Sequence, residues 1–214
     1  MSRQGELFPP TDLPGGGPAV GPTGPALERE QLLAWQARLA AHQGPLFRSA
    51  GGDDGHDGRQ GLLFAMAADS PAGSGAGPGS AAELAWQFDP LRLQPQSLSF
   101  WRWPAAPHQG AALYLVMDRP PAPSPPLLLY VGETGNADRR WKGDHDCKNY
   151  LAAYSEALIA AGLTPILSIR FWCDVPTAVR PRRALEQALI RRWLPPFNKE
   201  TRDRWTTPFT ADPG

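Results

Sequence analysis

Two cysteines in 214 residues, Cys147 and Cys173, are too few for a disulfide framework or a four-thiolate metal site. His145 beside Cys147 raises zinc as an alternative, but the ligand count favours buried thiols in a reducing compartment. No apolar run near the start reads as a signal peptide, and none is long enough to cross a bilayer. The expectation is a cytoplasmic protein with no membrane partner. Charge of one sign is also lacking: 21 Lys and Arg balance 21 Asp and Glu. That excludes a polycationic nucleic-acid binder, although phosphate contacts need only local patches.

Proline and glycine are abundant, at 25 and 22 residues, and unevenly placed. Residues 1–25 and 65–81 carry too little apolar mass to offset the entropy of ordering, so both read as flexible. Between them, Leu27, Leu32, Trp35 and Leu39 fall at helical spacing, and Gly44-Pro45 should end that helix. The expected organisation is a disordered tail (1–25), an isolated helix (26–43), a flexible linker (44–81), an extended accessory arm (82–109), a folded domain (110–205) and a second tail (206–214). In the arm, Trp101 and Trp103 read as core anchors, with base stacking as the alternative.

The C-terminal half is more regular. "AALYLVM" (111–117), "LLLYV" (127–131) and "ILSIRFW" (166–172) read as strands. "CKNYLAAYSEALIAAG" (147–162) and "RRALEQALIRRW" (182–193) read as helices stopped by Gly162 and by Pro195-Pro196. The order β-β-α-β-α predicts an α+β domain with a small antiparallel three-stranded sheet flanked by helices. Alternation puts Leu113, Leu115 and Met117 on one face of the first strand and Tyr114 on the other; in the second, Tyr130 should share a face with Leu128. Gly132 should let the backbone turn after Tyr130, leading to a helix near Asp138 with Arg140 in its first turn. A proline-rich loop, "DRPPAPSPP", joins the two strands.

These residues carry a resemblance. "ALY" at 112–114, "LYVGET" at 129–134, Arg140, and "LEQALIRRWLPPFNKE" at 185–200 resemble the GIY-YIG nuclease family over roughly residues 111–200. Ala112 stands where the family usually has Gly, which matters only if that position needs positive φ or close backbone approach. The resemblance implies a metal-dependent DNA endonuclease that hydrolyses phosphodiester bonds, leaving repair, recombination and mobile-element processing open. It implies catalytic roles for Tyr114, Tyr130, Arg140, Glu186 and Asn198, with Glu186 as ligand to Mg²⁺ or Mn²⁺. Arg140 would neutralise phosphate charge; Tyr130, and less directly Tyr114, would orient or deprotonate water; Asn198 would hold the site together.

Each residue also has an ordinary role open to it: Tyr130 as sheet packing, and Glu186 as an ion-pair partner of Arg182 or Arg183. Lys142, His145, Lys148, Arg191 and Arg192 are further candidates for nucleic-acid contact, or for a solvated helix surface. The alternative to an enzyme is an inactive nucleic-acid-binding module tethered to a replication clamp. That alternative draws on a repeat, "QGELF" (4–8), "QGPLF" (43–47) and "QGLLF" (60–64), similar to peptides that bind the bacterial sliding clamp. Gln4, Leu7 and Phe8 form the copy nearest a free terminus, while the copy at 43 has a structural account at the end of a helix.

Overall fold

In a computed structural model, residues 28–51, 80–99, 108–137, 146–207 and 209 are described. The core is a three-stranded antiparallel sheet in the order β2-β1-β3, with β1 (Ala112–Asp118) central between β2 (Leu127–Thr134) and β3 (Leu167–Trp172). The helices are α1 (Arg29–Gly51), α2 (Ala81–Gln87), α3 (Asp146–Ala160) and α4 (Val179–Trp193). The α+β mixture and the small antiparallel sheet are as expected. Among the described residues, no helix is long and apolar enough to cross a membrane. The expected tail 1–25, Trp101 and Trp103, and the outer clamp-like copies, with Gln4, Leu7 and Phe8, lie outside the described residues.

Every β1 side chain is buried because the sheet is covered on both faces. On one face Ala112, Tyr114 and Val116 pack with Leu32, Trp35 and Leu39 of α1 and Leu151, Tyr154 and Leu158 of α3. On the other, Leu113, Leu115 and Met117 pack with Phe88 and with Leu185, Leu189 and Trp193 of α4. The first face also holds a buried polar chain. Gln36 Nε2 donates to Tyr154 Oη at 2.6 Å, which donates to Asp118 at 2.7 Å, and Asp118 accepts from the Ile166 N–H at 2.9 Å. Burial pushes Asp118 up, and burial with the adjacent carboxylate pushes Tyr154 well above the ordinary phenol range.

Helix α1 corrects two expectations. It does not stop at Gly44-Pro45 but runs through Pro45 to Gly51. A proline inside a helix forfeits one backbone bond and costs about 3 kcal/mol or more. Packing on both sides offsets that: Phe47 lies 4.6 Å from the Trp193 ring, and Gln43 is fully buried. Nor is the helix isolated. Its first half covers one face of the sheet and Phe47 reaches the other, so α1 crosses the open edge of β2. At its start, Arg29 Nη1 donates to the Ala161 and Gly162 carbonyls at the end of α3, at 3.0 and 2.9 Å. The segment after α2 is likewise integral, since Phe88 stacks on Trp172 at 4.4 Å. The folded unit therefore includes residues 28–51 and 80–99 as well as the expected 110–205 domain. Gln43 and Phe47 of the middle QGxLF copy are committed to this core.

At the crossing, Gln43 replaces a missing strand. Its Nε2 donates to the Leu128 and Trp193 carbonyls at 2.9 and 3.0 Å, and its Oε1 accepts from the Leu128 N–H at 2.8 Å. Gln43→Leu would leave those three backbone groups buried without partners. The expected destabilisation is about 2–4 kcal/mol, read from the urea midpoint by circular dichroism; a change below about 0.5 kcal/mol would show the amide to be dispensable.

Candidate functional site

The proline-rich loop leaves the hairpin intact, with pairing running from Ala112↔Thr134 to Asp118↔Leu127. One irregularity lies within it. Val116 pairs with Tyr130 and Met117 with Leu128, so Leu129 is an extra residue in β2. The bulge overturns the simple alternation. Leu128 goes to the face of Met117, while Leu129 and Tyr130 both join the face of Tyr114. Tyr130 stands on the face of Tyr114 through the unbroken pairing from Val116↔Tyr130 to Ala112↔Thr134, and the bulge beyond it moves Leu128 away; the two tyrosine rings lie with centroids 5.8 Å apart and planes 30° apart. Tyr114 is fully buried against Phe171, and Tyr130 is half-buried.

Gly132 lies inside β2, not in a turn after it. Its role is space. A Cβ there would sit 2.4 Å from Tyr114 Cζ and Oη and 2.8 Å from Tyr130 Cε1. Ala112 is an ordinary buried strand residue without positive φ, so the methyl is accommodated.

Glu186 reaches the same stretch of backbone from the edge of the sheet. Leu185, Leu189, Ile190 and Trp193 bury the inner side of α4 and leave Glu186 at its margin, half-buried. Its carboxyl pKa is raised from 4.5 to about 7. Burial is the largest cause, and repulsion from Glu133 and Glu200 adds to it. A hydrogen bond from the Glu133 backbone N–H and the charge of Arg183 oppose the rise. Tyr114 Oη approaches Gly132 while Glu186 approaches the Glu133 N–H, so phenol and carboxyl converge on the single peptide unit joining residues 132 and 133.

The ion-pair alternative for Glu186 is taken by another residue. Arg182 Nε bonds Glu133 at 2.8 Å and Arg183 Nε bonds it at 3.3 Å. Arg182 is itself buried and also donates to the Pro176 and Thr177 carbonyls. Asn198 clamps the strand from outside, donating to the Val131 carbonyl at 2.8 Å and accepting from its N–H at 3.0 Å. It thus holds the site's backbone, as expected of it.

Other candidates are dispersed or lie elsewhere. Arg140, Lys142 and His145 lie outside the described residues. Lys148 on α3 and Arg191 on α4 sit on helices covering opposite faces, so they do not form one patch. Arg192 is turned inward, donating to the Ala85 carbonyl between the rings of Trp86 and Trp193. Cys147 is buried as expected, but Cys173 is exposed. Glu133 and Glu200, which set the electrostatics of Glu186, were not singled out in the sequence. The only trace of Glu133 was its place in "GETG", and its partners come from a helix about 50 residues on, a separation read from its bonds to Arg182 and Arg183.

The donors fit a divalent cation. Glu186 supplies a hard oxygen whose deprotonation a cation would favour against burial and two neighbouring carboxylates. Among the described residues, no three His, Cys, Asp or Glu side chains come close enough to form an all-protein cage.

No family model matches the chain, and neither a curated protein nor a solved structure matches it.

Two outcomes follow from this geometry. Gly132→Ala should destabilise the protein by about 1–3 kcal/mol through overpacking, and should shift the near-ultraviolet tyrosine signal; unchanged stability and spectrum would mean the rings are not seated on residue 132. The raised carboxyl makes stability depend on pH. The folded protein keeps this proton to about pH 7, whereas the unfolded chain releases it near 4.5, so the native state binds more protons between those values. Stability should therefore fall as pH rises through that window. Relative to Glu186→Gln, the loss should be about 1–2 kcal/mol after allowance for solvent screening. Parallel stability curves for the two proteins from pH 4 to 8 would contradict it.

Proposed function

We propose that the protein is a divalent-cation-dependent DNA endonuclease of GIY-YIG type. The observation that carries this reading is the convergence of Tyr114, Tyr130 and Glu186 on the peptide between residues 132 and 133. The resemblance of the sequence to the GIY-YIG family implies the same three residues in one site. The strand order β2-β1-β3, and Asn198 clamped to the edge strand beside Tyr130, support it further.

In this reading Glu186 holds the cation, which when bound supplies positive charge to the phosphate and to the departing 3′ oxygen. The chain's own groups do the rest. Tyr130, the less buried phenol, orients the attacking water and takes its proton. Tyr114, fully buried, sets the position of Tyr130 by ring packing and lies over Gly132. Arg140 is assigned the planar, permanently charged contact to the phosphate on the resemblance alone. Asn198 fixes the backbone of β2, and Arg182 fixes the Glu133 carboxylate, which after burial is the next cause of the raised Glu186 pKa.

The test is incubation of the full chain with linear, flapped and branched DNA, with and without Mg²⁺ or Mn²⁺. Glu186→Ala should abolish cation-dependent nicking while leaving the circular dichroism spectrum unchanged. Arg140→Ala should slow it by about 10²–10³-fold. A wild-type protein that retards DNA without nicking it under any divalent ion would reassign the site to binding alone.

A further inference from the structure

Helix α4 presents to solvent a face unlike an ordinary exposed helix surface. Arg180, Arg183, Gln187 and Arg191 fall at i, i+3, i+7 and i+11, a single stripe along the helix. All three arginines of the stripe are exposed, Arg183 with two-thirds of its side chain open. Solvated helices usually interleave charges of both signs one turn apart. On this stripe the positions between the arginines hold no acid, and Glu186 stands one row to the side.

The arrangement also works against the helix itself. The first turn of α4 has no acidic residue, and its N-cap, Ala178, makes no side-chain cap bond. Arg180 and Arg183 therefore sit where the helix dipole is positive, which disfavours cations. Among the described residues, neither Arg180 nor Arg191 has an acidic side chain within ion-pair distance. Arg182, by contrast, is buried and neutralised by Glu133. Arg183 shares that same Glu133 carboxylate at 3.3 Å, so Arg180 and Arg191, at the two ends of the stripe, are the ones without an acidic partner among the described residues. A polyanion laid along the stripe would supply it.

The length fits a nucleic-acid backbone. Eleven residues at about 1.5 Å each give roughly 16 Å, the axial length of about five phosphates on one strand. Glu186 lies near the middle of that length, beside Arg183.

We propose that the outer face of α4 is a track for duplex DNA, in which Arg180, Arg183 and Arg191 contact backbone phosphates flanking the one at Glu186. This rests on the nuclease reading for the role of Glu186, but the surface itself is tested separately. Fluorescence anisotropy with a labelled linear duplex, in EDTA so that nothing is cut, compares four full-length proteins between 50 and 200 mM KCl (about the range over which phosphate contacts show). These are the wild type, Arg180→Gln/Arg183→Gln/Arg191→Gln, Glu186→Ala, and Arg92→Gln/Arg119→Gln as a control on exposed arginines elsewhere.

The triple variant should lose about 2–3 units from the slope of log K against log salt, near 0.9 per phosphate contact. Its affinity should fall at least tenfold, with an unfolding midpoint no lower than wild type. The Arg92→Gln/Arg119→Gln control should keep the wild-type slope, and Glu186→Ala, which removes a carboxylate beside the track, should bind the duplex at least as tightly as the wild type. An unchanged slope in the triple variant overturns the track even if the wild type cuts DNA. DNA retention that is lost in the triple variant upholds the track even if the wild type fails to nick DNA in a separate incubation with Mg²⁺ or Mn²⁺, a result that removes the nuclease alone. No retention of DNA by the wild type overturns the track outright. If the substitutions weaken binding of poly-glutamate and leave DNA binding unchanged, the face serves an acidic protein and the track is wrong.

Discussion

Strand β2 has a neighbour on one side only, and its outward N–H and C=O groups must find partners elsewhere. They find them in side chains. Gln43 pairs with both backbone groups of Leu128, and Asn198 with both of Val131. The Phe197 N–H takes the carbonyl of the bulged Leu129, and the carboxyl of Glu186 lies at the Glu133 N–H. An exposed edge strand invites pairing with another chain, and here side chains from three separate segments occupy its outward groups. Because each partner group is buried or nearly so, each unpaired amide or carbonyl would carry its full desolvation cost. This requirement draws α1, α4 and the 197–198 segment onto one line.

The site grows from the same line. Regular pairing from Val116↔Tyr130 to Ala112↔Thr134 keeps Tyr130 on the face of Tyr114, the bulge at Leu129 sends Leu128 to the other, and Gly132 leaves room for both rings. Glu186 is held at the edge by the α4 packing that buries Leu185 and Leu189. Burial first, and then two carboxylates near it, raise its pKa, and one of these, Glu133, is fixed in place by Arg182. Structural and chemical roles are therefore hard to separate: the backbone that seats the tyrosines also donates to the carboxyl.

What the sequence revealed follows a physical divide. The three strands and the last two helices were legible because their periodicity is local: Leu113, Leu115 and Met117 alternate, and Leu185, Leu189 and Trp193 recur at helical spacing. The grouping of Tyr114, Tyr130, Glu186 and Asn198 is what the resemblance to the GIY-YIG family implies, and local periodicity alone does not supply it. The misreadings concern non-local forces. Gly44-Pro45 is a stop signal for an isolated helix, and only the packing of Phe47 on Trp193 and the bonds of Gln43 override it. A bulge has no composition of its own, so Leu128 and Tyr130 were assigned to one face. Glu133 and Glu200 were passed over because their influence on Glu186 depends on where α4 crosses the strand edge.

Helix α1 carries a consequence for how the molecule comes into being. Gln43 is bonded to the carbonyl of Trp193, 150 residues further along the chain. A ribosome extends a chain from its N-terminus at about 5–20 residues per second, so α1 waits on the order of 8–30 s for that partner to be made. During the wait its apolar stripe of Leu32, Trp35 and Leu39 has nothing to cover. The nascent protein thus presents a sticky amphipathic segment long before the sheet exists to receive it, and the helix that closes the finished structure is made before the strands it covers.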